Sequence, residues 1–275
     1  MTIRANTLRG DRDALATALR ADGLAVTPGA LAPAALHVET RTNLFGLPAF
    51  KSGLFEAQDE GSQLLAELAL AVLPPSARKL VIDMCAGAGG KSLALAAGMQ
   101  NRGRVLATDI DGKKLEELRR RGRRAGVTNL QAQAIDESPW PEAFVPVRGK
   151  ADIVLVDAPC SGTGALRRNP EARFRLRPAD VEELTRTQQK ILRNAIELAR
   201  PGGFVVYATC SVLAIENQRV VADAVRASNG RVRHVPLSEA WPAQAAAVGD
   251  GQDLIVTPDR HGTDGFYAAV LQRSV

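Results

Sequence analysis

The chain has 275 residues, of which 45% are hydrophobic, enough for one large domain and a small appendage. No apolar run approaches the roughly 18 residues that a membrane span requires, and three cysteines without regular spacing exclude a disulfide framework, so we expect a cytoplasmic protein with reduced thiols. Lysine and arginine outnumber aspartate and glutamate by 35 to 30, and the net charge of +5 favours a polyanionic partner.

The first part of the chain differs in its sequence pattern from the rest. Residues 12–23 (RDALATALRADG) form a short helix-like piece between extended segments, and proline and glycine are frequent beyond it. We predict a small α+β module over residues 1–55, followed by one larger domain over residues 56–275.

From about residue 58 onward, helical and strand-like segments alternate, as in a parallel sheet covered by helices on both faces. Helices are predicted at 62–73, from the glycine turn to about 99, over the basic segment 113–124, at 178–199 and at 215–228. Strands are predicted at 79–84, 104–111, 129–136, 151–159, 202–210, 253–258 and 265–272, the last two paired as a hairpin edge. The expected fold is α/β, with a doubly wound, mostly parallel seven-stranded sheet.

A glycine-rich turn follows the first predicted strand of the large domain. Gly87, Gly89 and Gly90 permit a tight turn there and leave backbone N–H groups free at the start of a helix. The second strand ends in Asp109, where an acid can bind both hydroxyls of a ribose, and Asp136 closes the third strand in the same plane. Together these features predict a nucleoside site at the carboxyl ends of the strands.

Three kinds of nucleotide site compete for this pattern. GGKS with DIVLVD imitates a P-loop and its metal-binding aspartate, but a P-loop would need glycine where the chain has Cys85. A dinucleotide fingerprint read from Gly87 would need a third glycine where the chain has Ser92. Elimination leaves a nucleoside without a polyphosphate, and S-adenosylmethionine fits, with its adenosine at Asp109 and its amino acid end at the turn.

Two segments concentrate the basic residues. KKLEELRRRGRR (113–124) sets seven basic residues against two acids, which also suits a solvated helix face. LRRNPEARFRLR (166–177) holds five arginines, and aromatic residues, at 4% of the chain, are too sparse to hold single strands mainly by stacking. Helix-surface arginines are the alternative to the phosphate contacts that we predict for Arg167, Arg168, Arg173 and Arg175.

Each of the three cysteines lies just past a strand-like apolar run. Cys85, inside the glycine turn, is interpreted as a packing residue, the usual role of a buried cysteine. Cys160 and Cys210 follow the fourth and fifth strands, whose exits would put both thiols beside a methyl donor. Two thiols there indicate covalent chemistry, because a thiolate added to carbon 6 of cytosine makes carbon 5 able to attack a methylsulfonium.

Four motifs stand out in chain order: DMCAGAGGKS (83–92), DAPCSGTGALRRNPE (157–171), YATCSVLAIEN (207–217) and HGTDGFYAAVL (261–271). Together they resemble the motifs of the Sun-type RNA cytosine-5 methyltransferases. The resemblance covers nearly the whole chain, and the paired P-C-S and T-C-S motifs are highly specific. It implies a class I S-adenosylmethionine-dependent methyltransferase with a Rossmann-like sheet, a small N-terminal module that contacts RNA, no metal, and ribosomal RNA ahead of tRNA as the target. A monomer is our default expectation.

By this resemblance, Cys210 would attack carbon 6 of the target cytosine, and Cys160 would assist product release. Asp157 would hydrogen-bond the polar edge of cytosine and select it over uracil, with Lys91 nearby. DNA cytosine-5 methyltransferases instead use the cysteine after proline, but glutamine follows theirs, whereas Ser161 follows here. The family pattern implies a cofactor site made of Cys85, Ala86, Gly87, Ala88, Gly89, Gly90, Lys91, Asp109, Asp136 and Asp157.

Two features depart from the family pattern. The family usually has alanine and proline where this chain has Gly87 and Ala88, which loosens the turn but removes no contact side chain. Many members also carry a further N-terminal helical RNA-binding domain that this sequence does not contain, so the exact RNA target stays open. The alternatives are a tRNA methyltransferase, a nucleotide hydrolase, a non-catalytic RNA-binding protein, and a methyltransferase for small molecules or proteins.

Overall fold

A computed structural model describes residues 1–275, and it contains two sheets. The strands of the N-terminal sheet are β1 (Thr2–Ala5), β2 (Val26–Pro28), β3 (Ala35–Val38) and β4 (Phe55–Ala57). They are antiparallel in the order β2-β3-β1-β4. Helix α1 (Arg12–Ala21) and the short helix α2 (Pro48–Lys51) complete an α+β module. Its last strand ends at residue 57, slightly beyond the predicted boundary at residue 55.

Helix α1 shows how the sequence builds this module. Asp11 caps the helix, its carboxylate accepting a hydrogen bond from the Ala14 N–H at 2.7 Å. Leu15 and Leu19 are one turn apart, so both face inward and pack in a core with Ile3 and Phe55. The module therefore has a hydrophobic core of its own.

The second sheet contains eight strands and forms the body of the protein. They are β5 (Leu80–Asp83), β6 (Arg104–Asp109), β7 (Leu130–Ala134), β8 (Ala151–Asp157), β9 (Ala199–Thr209), β10 (Val232–Val235), β11 (Leu254–Val256) and β12 (Phe266–Arg273). The order is β10-β12-β9-β8-β5-β6-β7, and β5 to β9 are parallel. The predicted doubly wound, mostly parallel sheet is confirmed.

The edge beside β12 differs in one detail from the prediction. Strands β11 and β12 pair antiparallel as expected, but β10 also pairs with β12, next to β11 along the same side. Eight strands therefore fill seven positions, since β10 and β11 share the edge. In β10 (VRHV), the two valines are buried, whereas Arg233 and His234 between them are more exposed, as the open edge of a sheet allows.

Helices cover both faces of the sheet. The longer ones are α3 (Glu60–Ala71), α4 (Gly90–Gly98), α5 (Gly112–Ala125), α7 (Pro178–Leu198) and α8 (Gln218–Ala227). Single-turn helices are α6 (Ala172–Arg175), α9 (Leu237–Ala240), α10 (Ala245–Val248) and α11 (Pro258–His261), and 3-10 turns lie at Leu44–Gly46, Pro75–Ala77, Glu142–Val147 and Thr163–Ala165. None of these helices is long and apolar enough to span a membrane.

Alternation along the strands assigns the two core layers. In β5, Val81 packs in the layer that contains α3 and α4, whereas Ile82 packs in the layer that contains α7 and α8. Strand β8 is buried over Ala151–Val156, as expected of a central parallel strand covered on both sides. Because β5 to β9 are parallel, their carboxyl ends meet at one edge of the sheet, and the predicted site residues lie there.

Candidate active site

Two thiols meet where neighbouring strands end. Strands β8 and β9 are parallel neighbours, so the turns that follow them lie side by side. Cys160 comes three residues after the end of β8, and Cys210 comes directly after β9. Their Sγ atoms are 3.3 Å apart, and neither takes part in a disulfide. The structure thus brings together the two cysteines that the sequence singled out.

The two thiols have different acidities. A hydrogen bond from Cys160 lowers the pKa of Cys210, and the charge of Lys91 lowers it further, against the effects of burial and Asp157. The same hydrogen bond, together with burial, raises the pKa of Cys160. We therefore assign the thiolate to Cys210, because the Lys91 ammonium group acts on that sulfur.

Lys91 and Asp157 form an ion pair beside the thiols. The Nζ of Lys91 is 2.5 Å from Oδ2 of Asp157, and it also lies 5.9 Å from the ring centre of Phe266. Burial works against the charged ammonium group, but the charge and hydrogen bond of Asp157 outweigh it and raise the pKa of Lys91. A fixed cation and a carboxylate therefore lie close enough to the Cys210 sulfur to affect its charge.

The glycine turn has the backbone conformation that its sequence predicts. Gly87 and Gly89 have φ values of +52° and +88°, in the left-handed region that favours glycine. Oδ2 of Asp109 accepts the Gly87 N–H at 2.8 Å, while Oδ1 accepts the Asp111 N–H at 2.9 Å. Asp109 is thereby fixed against the turn, with lone pairs left for ribose hydroxyls.

Replacement of Gly89 by alanine is expected to lower the free energy of unfolding by about 3 kcal/mol, from a left-handed backbone and an overpacked contact. A Cβ at this position would lie 2.0 Å from Cδ1 of Leu118. Gly87 is the matched control, since its φ is also positive but a Cβ there would meet no atom within 4 Å. Gly87→Ala should cost only about 1 kcal/mol. Urea unfolding measures both, and equal losses would contradict the packing argument.

Asp83 is a functional candidate that the sequence analysis missed. It ends β5, is fully buried, and its Oδ2 accepts a hydrogen bond from the Ser92 hydroxyl at 2.6 Å, whereas Oδ1 has no partner. Burial raises the pKa of Asp83 to about 6. An unpaired buried acceptor beside a glycine turn fits a ligand with an ammonium group. The sequence signal that could have identified Asp83 is an acidic residue within an otherwise apolar predicted strand.

The remaining predicted cofactor residues occupy less specific positions. Asp136 is exposed two residues after β7, and hydrogen bonds from Ser138 lower its pKa. Burial, with the nearby acids, raises the pKa of Cys85 well above its ordinary value, so this thiol is neutral and packs against the core. Ala86 is buried in the turn, and Ala88 uses its carbonyl group to accept a hydrogen bond from Arg121 at 2.7 Å.

The four arginines that were predicted to bind phosphate fall into two pairs. Arg167 and Arg168 both contact two buried carboxylates, Asp59 and Asp264. Arg168, for example, lies 2.6 Å from each of them. These internal partners favour a bracing role for that pair over the predicted phosphate contacts.

The second pair lies on the short helix α6. Arg173 stacks on the ring of Phe174, 4.6 Å from its centre, and Arg175 lies 3.6 Å from Glu171 at the surface. Phe174 is 77% exposed. Neither arginine is bound to a buried acid, so phosphate contact stays a prediction for both.

The residues at the edge of the sheet fit S-adenosylmethionine. The unpaired Asp83 oxygen suits its ammonium group, the glycine turn suits its amino acid end, and Asp109 suits its ribose. The fold and these residues define the class of S-adenosylmethionine-dependent methyltransferases. Within that class, the chain belongs to the 16S rRNA methyltransferase RsmB/F family, which matches residues 70–272.

Individual relatives agree with this assignment. The chain is 33% identical over 273 residues to the probable ribosomal RNA small subunit methyltransferase B of Bacillus subtilis, covering 99% of this chain and 59% of the relative. It resembles the crystal structure of a methyltransferase homologue from Pyrococcus horikoshii (TM-score 0.79, 28% identity, 99% of this chain and 86% of that one). NSun6 from Pyrococcus horikoshii, solved with SFG, shares the fold (TM-score 0.83, 20% identity, 100% and 90% covered). The chain therefore spans about three fifths of the length of its Bacillus relative.

Proposed function

We propose that this protein is an S-adenosylmethionine-dependent RNA (cytosine-5)-methyltransferase that acts on ribosomal RNA. The observation that carries the proposal is the pair of thiols 3.3 Å apart, with their mutual hydrogen bond and the charge of Lys91 lowering the pKa of Cys210. A methyltransferase that acts on oxygen or nitrogen needs no such pair. The basic net charge and the RsmB/F family membership support RNA as the substrate.

The reaction that we propose begins with the Cys210 thiolate, which attacks carbon 6 of the cytosine ring. The new S–C bond makes carbon 5 electron-rich, so that it can take up an electrophilic methyl group. S-adenosylmethionine supplies this methyl group when it is bound. Asp157 accepts a hydrogen bond from the exocyclic amine, where uracil has a carbonyl group, and Lys91 holds that carboxylate in place.

Release of the product requires the S–C bond to break. The proton on carbon 5 must leave, its electron pair re-forms the double bond between carbons 5 and 6, and Cys210 departs as a thiolate. We propose that solvent water takes this proton, and that the Cys160 S–H assists release by donating a hydrogen bond to the departing Cys210 thiolate, whose sulfur lies 3.3 Å away. The two cysteines would thus divide attack and release between them.

The target base has to leave its stack to reach these groups. Such extrusion costs a few kcal/mol and least in loops and partly folded RNA, so we expect an unpaired or accessible cytosine. Arg173, Arg175 and the exposed Phe174 lie in the segment after Cys160, where phosphates and a neighbouring base could contact them.

The test is incubation with labelled S-adenosylmethionine and ribosomal RNA that lacks the modification, followed by bisulfite mapping. Label on one cytosine of small subunit ribosomal RNA is the expected result, with unmodified tRNA as the parallel substrate. Label on tRNA alone would overturn the choice of ribosomal RNA. Label on a base other than cytosine would overturn the proposed chemistry.

The Arg173→Ala/Arg175→Ala double variant is expected to bind RNA with a weaker salt dependence. On single-stranded sites, each lost phosphate contact lowers the slope of log K against log salt by about 0.7, so the double variant should lose about 1.4. Arg226→Ala is the matched control, because Arg226 is an exposed arginine in the last turn of α8 and pairs with Asp223. An unchanged slope in the double variant would exclude these phosphate contacts.

A further inference from the structure

A buried carboxylate that the proposed reaction does not use joins the two cysteine turns. Glu216 lies between β9 and α8 and is fully buried. Its Oε1 accepts hydrogen bonds from the Ser161 N–H and from Nε2 of Gln188, both at 2.9 Å. Its Oε2 accepts hydrogen bonds from the hydroxyls of Ser161 and Ser211, both at 2.5 Å. Four donors therefore surround one carboxylate.

The two serines that bind Glu216 are the residues that follow the two cysteines. Ser161 follows Cys160 directly, and Ser211 follows Cys210 directly. Two serine hydroxyls bound to one carboxylate oxygen cannot drift apart without breaking a buried hydrogen bond. The backbone on which each thiol is carried is therefore linked to the other through Glu216.

Glu216 is itself held in place from several sides. Its carbonyl oxygen accepts the hydroxyl of Tyr207 at 2.6 Å. The next residue, Asn217, accepts the Thr209 hydroxyl at 2.6 Å and donates to the Ser211 carbonyl at 2.9 Å. Gln188 also donates to the carbonyl of Pro159, the residue before Cys160, at 2.9 Å. The carboxylate is thus a fixed point rather than a mobile side chain.

Burial of this carboxylate is difficult to explain by stability alone. A buried carboxylate has a large desolvation cost, and its four partners here are all neutral groups. Replacing a buried charged group by apolar residues of similar volume often leaves the stability of a protein unchanged or raises it. A carboxylate does, however, provide four acceptor sites in a fixed plane, which suits it to hold two turns in register.

We propose that Glu216 is a positioning residue that sets the separation of the Cys160 and Cys210 sulfurs by binding the residue after each of them. The proposal rests on the proposed two-thiol reaction, and it adds the group that keeps attacking and releasing sulfurs within reach of the same ring. Glu216 touches neither sulfur, so it acts through Ser161 and Ser211. Its loss should separate the thiols while the cofactor turn, on other strands, stays intact.

The test measures the distance between the thiols without any RNA. Phenylarsine oxide bonds two neighbouring sulfurs at once, so its affinity reports whether Cys160 and Cys210 converge. The wild-type chain should bind one arsenical and leave one of its three thiols free. Glu216→Ala should bind about 100-fold more weakly, because a two-point attachment becomes a one-point attachment. Its kcat should fall by about 100-fold, with KM for S-adenosylmethionine unchanged.

Two variants separate positioning from folding. Glu216→Gln should keep near wild-type arsenical affinity, because its amide oxygen can accept the N–H donors and its amide nitrogen can donate to both serine hydroxyls. Asp152→Ala is the matched control: Asp152 is also a buried carboxylate, but it accepts the Lys79 and Leu80 N–H groups at the opposite end of β8. It should lower stability without changing arsenical binding.

The outcomes that contradict the proposal are equally specific. Unaltered arsenical affinity in Glu216→Ala, or no bridging in the wild-type chain, would overturn it. If Glu216→Ala does not fold, as judged by circular dichroism, the Ser161→Ala/Ser211→Ala variant replaces it, and unaltered affinity there has the same meaning. Bridging in the wild-type chain that is weakened in Glu216→Ala, with no methylation of any RNA by the wild-type chain, would instead contradict the proposed function and leave the role of Glu216 supported.

Discussion

Replacement of Cys210 by alanine is expected to reduce methyl transfer by on the order of 10⁴-fold or more, as loss of a nucleophile does in other enzymes with covalent intermediates. No protein–RNA adduct should form, because no sulfur remains to bond carbon 6. Replacement of Cys160 by alanine should have the opposite effect, and the covalent protein–RNA adduct should accumulate. Denaturing gels with labelled RNA detect the adduct, and labelled S-adenosylmethionine measures transfer.

The reason for this asymmetry is the unequal acidity of the two thiols. The hydrogen bond with Cys160, and after it the charge of Lys91, lower the pKa of Cys210, while the same hydrogen bond and burial raise that of Cys160. The Cys160→Ala/Cys210→Ala double variant is the control and should form no adduct. Loss of the adduct in Cys160→Ala alone would reverse the assignment, giving the order found in the DNA cytosine-5 methyltransferases.

The main elements of the fold were predictable because each has a local signal. The central strands are continuous apolar runs bounded by turn residues, and α7 begins at Pro178, a favoured first position of a helix. Strand β10 was missed because the arginine and histidine in VRHV read as a loop. Strand β4 has only three residues, and its place in the N-terminal sheet depends on β1, about fifty residues earlier.

The site was predictable where chemistry and strand order coincide. Cys160 and Cys210 follow strands that the pattern makes neighbours, so their approach could be expected from sequence. Arg167 and Arg168 were assigned to phosphate because no local signal shows that Asp59 and Asp264, each about a hundred residues away, reach them. Glu216 was inside a quoted motif, but its role depends on donors from three separate elements.

Neutralising either member of the Lys91–Asp157 pair is expected to slow methylation strongly. The two substitutions should shift the pKa of Cys210 in opposite directions. Lys91→Met should raise the pKa of Cys210, because the ammonium charge that stabilises the thiolate is lost. Asp157→Asn should lower that pKa, because the carboxylate that opposes the thiolate is lost. Methyl transfer should fall by about 100-fold or more in both variants, since each removes a group that positions or polarises the base.

The measurement is the rate of Cys210 alkylation by iodoacetamide against pH, with the modified cysteine located by mass spectrometry. Because the thiolate is the reactive form, a raised pKa moves the rising limb of the profile to higher pH and a lowered pKa moves it to lower pH. Arg148→Ala, at an exposed ion pair with Glu197, is the control and should leave the profile unchanged. Shifts of the same sign in Lys91→Met and Asp157→Asn would show that the pair acts on Cys210 through packing and not through charge.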